Sequence, residues 1–156
     1  MKPNLSKLIS VVKSKYNKLV LIVGLPHSGK TNTLKQFEGR NTHYCNLGLE
    51  VSERLLDHTI EGRRDAIDTL FSEYITNYRD KVLLFDNIEL LFDPDLGVEV
   101  LDLFLKLSRH VVCVVAWTGE VSDDVLRYGE PGYWGYKSYN VKGIEVIDLN
   151  GERGEV

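Results

Sequence analysis

Apolar residues in this chain fall into two kinds of run. Some are short and unbroken, at 19–23, 82–85 and 111–116; weaker ones lie at 42–47 and at 143–149, where Glu145 and Asp148 interrupt. Unbroken runs of this length read as strands covered on both faces. Between them, apolar residues recur at helical spacing. In 3–16, Leu5, Leu8, Ile9, Val12 and Tyr16 form one stripe, with Lys7, Lys13 and Lys15 off it. In 63–78, Ile67, Leu70, Phe71, Tyr74, Ile75 and Tyr78 keep the i, i+3, i+4 pattern. Residues 31–37 and 49–58 are shorter helical candidates. Asp93-Pro94-Asp95 is a helix-start signal, and the segment after it, to about Ser108, is apolar nearly all round, which predicts a deeply packed helix. Apolar strands alternating with helices predict an α/β fold: a five-stranded parallel sheet with helices on both faces. Ligands on such sheets sit at the carboxyl ends of the strands. Segment 24–31, Asp86 and Trp117-Thr118 all fall at that edge.

One stretch keeps neither period. Residues 128–139 hold four Tyr, one Trp and three Gly. Segment 128–142 therefore reads as an aromatic, glycine-rich loop across the sheet edge. Two sharper readings are a docking surface, since Tyr and Trp make good interface anchors, and a stacking platform for exposed bases beside Arg127, Lys137 and Lys142. Residues 150–156 read as a frayed tail.

Composition narrows the class. At 156 residues the chain is expected to be a single domain, 1–156. A net charge of −4, from 19 Lys and Arg against 23 Asp and Glu, argues against a free-standing nucleic-acid binder. A local basic patch stays open, and DNA contact is expected at most indirectly. Cys45 and Cys113 fall in strands and read as small buried side chains of a reducing compartment. No signal-peptide pattern appears, and the longest apolar runs are too short to span a bilayer. The expectation is a cytoplasmic protein without membrane contact.

The most specific pattern is Gly24-Leu25-Pro26-His27-Ser28-Gly29-Lys30-Thr31, which fits the phosphate-binding G-x-x-x-x-G-K-[ST] loop between a strand and a helix. Triphosphate oxygens need several donors aimed at one point, and a tight turn at a helix N-terminus supplies backbone N–H groups and a favourable dipole. Gly24, His27, Ser28, Gly29, Lys30, Thr31 and Asn32 are the candidate nucleotide contacts. Lys30 is placed to meet the β- and γ-phosphates, and the Thr31 hydroxyl to hold Mg²⁺. Val82-Leu83-Leu84-Phe85-Asp86 fits the Walker B pattern, making Asp86 the second metal-associated residue. The alternative readings are a ligand-free glycine turn and a turn-initiating Asp.

The hydrolytic residues are less defined. Many ATPases of this kind carry Glu directly after that Asp, where this chain has Asn87, which cannot accept a proton from water. Glu89 and Glu50 are substitutes, Glu50 reading better as a surface residue. Thr118 ends a strand at the position called sensor 1, or is a turn hydroxyl. Arg109 is a candidate arginine finger for a neighbouring subunit, as are Arg63, Arg64 and Arg127, each against a surface salt bridge.

Taken together, the P-loop, Val82 to Asp86 continuing through Asn87-Ile88-Glu89-Leu90-Leu91-Phe92-Asp93-Pro94, then Leu107-Ser108-Arg109, Val115-Ala116-Trp117 and Tyr128-Gly129-Glu130-Pro131-Gly132 resemble the small P-loop protein of type 3 BREX phage-defence systems, the BrxF family. The resemblance covers most of the chain. It implies an AAA+-like core of the ASCE class, strand order 5-1-4-3-2, with no separate lid domain. It also implies a bacterial defence role, ATP and Mg²⁺ as ligands, and other BREX proteins as partners, including a larger AAA+ ATPase, or further copies of the chain. Asn87 fits the family's pattern. Hydrolysis is then expected to be slow in the monomer and completed by a neighbour. A small-molecule or nucleotide kinase and a non-hydrolysing, nucleotide-ordered scaffold are the rival readings. No guanine-specifying Asn-Lys-x-Asp motif appears, which leans to ATP.

Overall fold

In the computed structural model of the chain, residues 5–56 and 58–150 are described, Ile60 by its backbone alone. Five strands make one parallel sheet: β1 (Leu19–Gly24), β2 (Thr42–Asn46), β3 (Val82–Asp86), β4 (Val112–Thr118) and, last in the chain, β8 (Glu145–Asp148). Their spatial order is β2-β3-β4-β1-β8. The register sets Gly24 beside Thr118 and Asn46 beside Asp86, so the loop after β1, the end of β3 and the end of β4 share one edge.

Alternation along the strands divides the core. Val20, Ile22, Val82, Leu84, Val114 and Ala116 face α1 (Leu5–Val12) and α2 (Lys30–Lys35). Leu19, Leu21, Leu83, Phe85, Cys113 and Val115 face α3 (Leu47–Leu55), α4 (Ile60–Tyr78) and α5 (Val100–Leu107). Both sides are covered, which is why these strands are apolar throughout. The second face is the aromatic one: Phe71, Tyr74, Phe85 and Phe104 pack with ring centroids 5.2–6.1 Å apart. Cys45 and Cys113 are free and buried in it.

Several expectations from the sequence change. The first helix stops at Val12 instead of Tyr16; the chain turns there, and Tyr16 leaves the stripe to stand 70% exposed. Pro3 and Asn4 lie outside the described residues. Asp93-Pro94-Asp95 does not open the long helix. The Asp93 carboxylate accepts from Asp95 N–H and caps a single 3-10 turn, Pro94–Leu96, and α5 begins only at Val100.

The larger change concerns 128–142. Part of that segment is strand: β5 (Glu120–Ser122), β6 (Val125–Tyr128) and β7 (Lys137–Asn140) form an antiparallel meander. Asp123 and Asp124, both at positive φ (51° and 63°), make the two-residue turn between β5 and β6, the backbone hand that suits a tight hairpin. The meander is joined to the main sheet through Trp117. That fully buried indole donates to the Arg127 carbonyl at 3.2 Å and meets Phe92 and Tyr139 edge-on. Phe92 stacks on Tyr128 at 3.7 Å. Asn150, expected in a frayed tail, is instead held in place. Asn150 Oδ1 accepts from Leu25 N–H and its Nδ2 donates to the Gly119 carbonyl, pinning the end of β8 across the loop after β1. Residues 151–156 lie outside the described residues.

Candidate functional site

The loop after β1 has the backbone its sequence calls for. Gly29 sits at φ +98° and His27 at +68°, both left-handed, and α2 starts immediately at Lys30. A Cβ on Gly24 would lie 2.0 Å from Ser28 Oγ, so the loop closes on itself only with glycine there. That Ser28 hydroxyl is buried with no hydrogen-bond partner. Lys30 Nζ donates to the Leu25 carbonyl at 3.0 Å, spanning its own loop. Burial lowers the Lys30 pKa, with the Glu89 and Asp86 carboxylates pulling the other way. An anion at the loop would hold the ammonium form more firmly.

Thr31 and Asp86 are brought together across the sheet edge. The Thr31 hydroxyl donates to Asp86 Oδ2 at 2.8 Å. Asp86 is 3% exposed and accepts two more bonds: Tyr44 Oη at 2.7 Å on the same oxygen, and Asn87 N–H at 3.0 Å on the other. These three donors satisfy polar oxygens that burial removes from water. Sequence reasoning missed Tyr44. Burial, then its bond to Asp86, raises the phenol above its ordinary 10.0, so it remains a donor. A signal existed, because Tyr44 and Asn46 lie beside Leu84 and Asp86 in register. It becomes readable only once β2 and β3 are known to be neighbours.

Glu89 and Thr118 also meet. Glu89 opens a 3-10 turn after β3, and its Oε2 accepts the Thr118 hydroxyl at 2.6 Å. Since β4 lies between β1 and β3, this pair stands beside the loop, with Glu89 close enough to Lys30 to oppose the effect of burial on it. Asn87 does something else: at φ +57° its amide donates to Asn46 Oδ1, the cap of α3. Glu50 accepts the buried Tyr74 hydroxyl at 2.9 Å, which is a packing role.

Arg109 is not brought to this edge. It lies just before β4, at the opposite end of the strands, with its guanidinium 5.1 Å from the Tyr16 ring centre. Arg64 donates to the Gly97 carbonyl and Arg127 to Ser122. Among the described residues none of these three arginines is hydrogen-bonded to the loop at 24–31.

Two clefts flank the loop. One, of about 350 Å³, is lined by His27, Gly29, Lys30, Thr31 and Asn32. The other, of about 510 Å³, lies between Leu25, Pro26 and Thr118 on one side and Tyr128, Tyr133 and Trp134 on the other. Tyr133 and Trp134 are 66% and 71% exposed. Among the described residues no helix is long and apolar enough to cross a membrane.

The geometry defines an α/β domain whose five-stranded parallel sheet carries a Gly-Lys-Thr loop, a buried aspartate and a carboxylate–hydroxyl pair at its carboxyl edge. No family model matches the chain, and no curated protein matches it. Among solved structures it is similar to C. elegans PCH-2, at 13% identity and a TM-score of 0.41, over 92% of this chain and 41% of that one. The chain thus spans about two-fifths of the length of that structure.

Proposed function

We propose that this chain is a P-loop ATP-binding domain of the AAA+-like ASCE class, serving in a bacterial BREX phage-defence complex, with ATP hydrolysis that depends on assembly or on a partner. The observation that carries the nucleotide reading is the Thr31–Asp86 bond beside Lys30 and a loop whose buried Ser28 hydroxyl is unpartnered. The donor set suits a triphosphate with Mg²⁺: loop amides and an ammonium for phosphate oxygens, a hydroxyl and a carboxylate for a hard cation. Counting β8 as the fifth strand, β2-β3-β4-β1-β8 read from its other end is 5-1-4-3-2, which supports the ASCE class.

In this reading Lys30 and the amides of 27–31 bind phosphate, and Thr31 and Asp86 hold Mg²⁺, which supplies charge neutralisation to the phosphates. Glu89, oriented by Thr118, takes the proton of the attacking water. Asn87 is committed to the α3 cap. The partner dependence rests on the open clefts on both sides of the loop and on the distance of Arg109 from it. The partners are other BREX proteins, a larger AAA+ ATPase among them, or further copies of this chain, in the cytoplasm. The defence assignment is supported by segments 87–94 and 128–132.

The test is ATP hydrolysis per molecule over a wide range of protein concentration, with Lys30→Ala as control. A specific rate that rises with concentration and vanishes in the variant supports a site completed between subunits. Tight binding without turnover at any concentration points instead to a nucleotide-ordered scaffold. A fast, concentration-independent rate overturns the partner dependence. A second reading, phosphate transfer to a small acceptor, is favoured by the aromatic cleft opening at Thr118. Transfer from ATP to a nucleoside monophosphate tests it.

A further inference from the structure

The amino ends of the strands, opposite the loop, gather positive charge that the sequence disperses. Lys18 precedes β1, Arg40 precedes β2, Arg79 and Lys81 precede β3, Arg109 precedes β4, and Lys142 precedes β8. Lys13 and Lys15 join them where α1 ends. The acids on this rim are Glu38, Asp80 and Glu145, and among the described residues only Lys15 of these cations is in an ion pair, with Glu145 at 3.0 Å. An edge with a clear positive excess therefore sits on a chain of net charge −4.

Helix C-termini attract cations, and that accounts for Arg79 and Arg109 after α4 and α5. It does not account for Lys18, Lys81 and Lys142, which follow no helix so directly. Nor does it account for the shape of the edge. A cleft of about 420 Å³ is lined by Lys13, Lys18, Arg79, Lys81 and His110, with Asp80 as its acid. A second, of about 290 Å³, continues past Lys15, Tyr16 and Lys142. Between them Tyr16 is 70% exposed, with the Arg109 guanidinium 5.1 Å from its ring centre. An open aromatic ring set in a row of cations is what a strand with unstacked bases recognises. An acidic peptide would use the charges and have no need of the ring.

We propose that this edge binds a single-stranded stretch of nucleic acid, its phosphates along the lysine and arginine side chains and a base on Tyr16. Strand spacing makes a five-stranded edge about 20 Å wide, room for a few nucleotides. The strands hold this site about 20 Å from the Gly-Lys-Thr loop, so it does not depend on the nucleotide reading of that loop.

The test is fluorescence anisotropy of a short labelled oligothymidylate with the full chain at low salt, each variant's fold being checked by its thermal unfolding midpoint. The double substitution Lys13→Glu with Arg79→Glu is expected to weaken binding by about tenfold or more and to make its salt dependence shallower by about 1 in log–log slope. Tyr16→Ala is expected to weaken it by about tenfold. Lys7→Glu with Lys137→Glu, the same charge change away from this edge, is expected to leave it within about twofold. No binding at low salt, or binding indifferent to the edge substitutions, overturns the proposal. So does a duplex of the same sequence binding as tightly with Tyr16→Ala silent. If the edge variants instead abolish self-association in sedimentation while the oligonucleotide never binds, the edge belongs to a second copy of the chain and the proposal falls.

Discussion

At the carboxyl ends of β1, β3 and β4 stand Lys30, Thr31, Asp86, Glu89 and Thr118, most of them hydrogen-bonded to one another; at the amino ends of the same strands stand cations of which, among the described residues, only Lys15 is in an ion pair. The first edge is partly buried and locked. Asp86 accepts three donors, and Asn150 clamps the end of β8 to the loop. The second edge is exposed and loosely tied: Lys18 and Lys81 donate to the Arg109 and Arg40 carbonyls, while Lys13 and Arg79, at the rim of a cleft, have no ion pair among the described residues. Pre-arranged groups suit recognition of one small ligand at fixed geometry, whereas mobile cations suit a polyanion met at many registers. One sheet thus offers two unlike surfaces because parallel strands send all their carboxyl ends one way and all their amino ends the other.

Substitutions can break the locked edge selectively. The largest effect is expected from Trp117→Ala, which empties a fully buried site at the join between main sheet and meander. It should cost about 3–5 kcal/mol in denaturant unfolding, with hydrogen exchange rising first in β6 and β7. Lys30→Ala should reduce ATP affinity by roughly 100-fold in calorimetry, since a charge-assisted phosphate contact is worth about 1.5–3 kcal/mol, and should leave stability nearly unchanged. Glu89→Gln keeps the shape and the Thr118 bond but removes the base. Turnover should fall by roughly 100-fold with nucleotide affinity retained; an equal loss of affinity would reassign Glu89 to binding. Tyr44→Phe removes one of the donors on Asp86 and should lower stability by about 1 kcal/mol.

The smallest effects sharpen the contrast. Burial lowers the Lys30 pKa, so its ammonium loses its proton below the ordinary 10.5. Anion affinity should therefore decline, as pH rises, earlier than for a free lysine, and Lys30→Arg should flatten that decline because arginine stays charged. Lys13→Glu with Arg79→Glu should leave ATP affinity within about twofold, the edges being separated by more than a Debye length at physiological salt. A large effect there would mean that the two edges are coupled.

How much of this was legible varies residue by residue. The loop was readable because its function needs consecutive residues and special backbone angles, which Gly24 and Gly29 announce. Asp86 was readable as the polar end of an apolar strand. The meander was not: glycines at 129, 132 and 135 interrupt the pattern, and the hairpin turn is made by Asp123-Asp124 instead of the usual Asn-Gly. Tyr16 keeps the helical period in sequence, yet the chain turns after Val12 and the ring leaves the stripe. Arg109, expected as a finger for a neighbouring subunit's nucleotide, lies at the edge away from the chain's own loop; an arginine's position in sequence says nothing of which end of a sheet it reaches.

Local order alone determined the alternation of strands and helices, the phosphate-loop pattern and the aspartate after β3, because each is written in neighbouring residues and governed by backbone geometry and burial period. Tertiary structure decided the rest. It chose Tyr44 as a partner of Asp86 and Thr118 as the partner of Glu89. It also collected cations from before every strand of the sheet into one edge of an acidic protein. Those contacts join residues tens of positions apart, and net charge, being a sum, carries no record of where the fold will set each term.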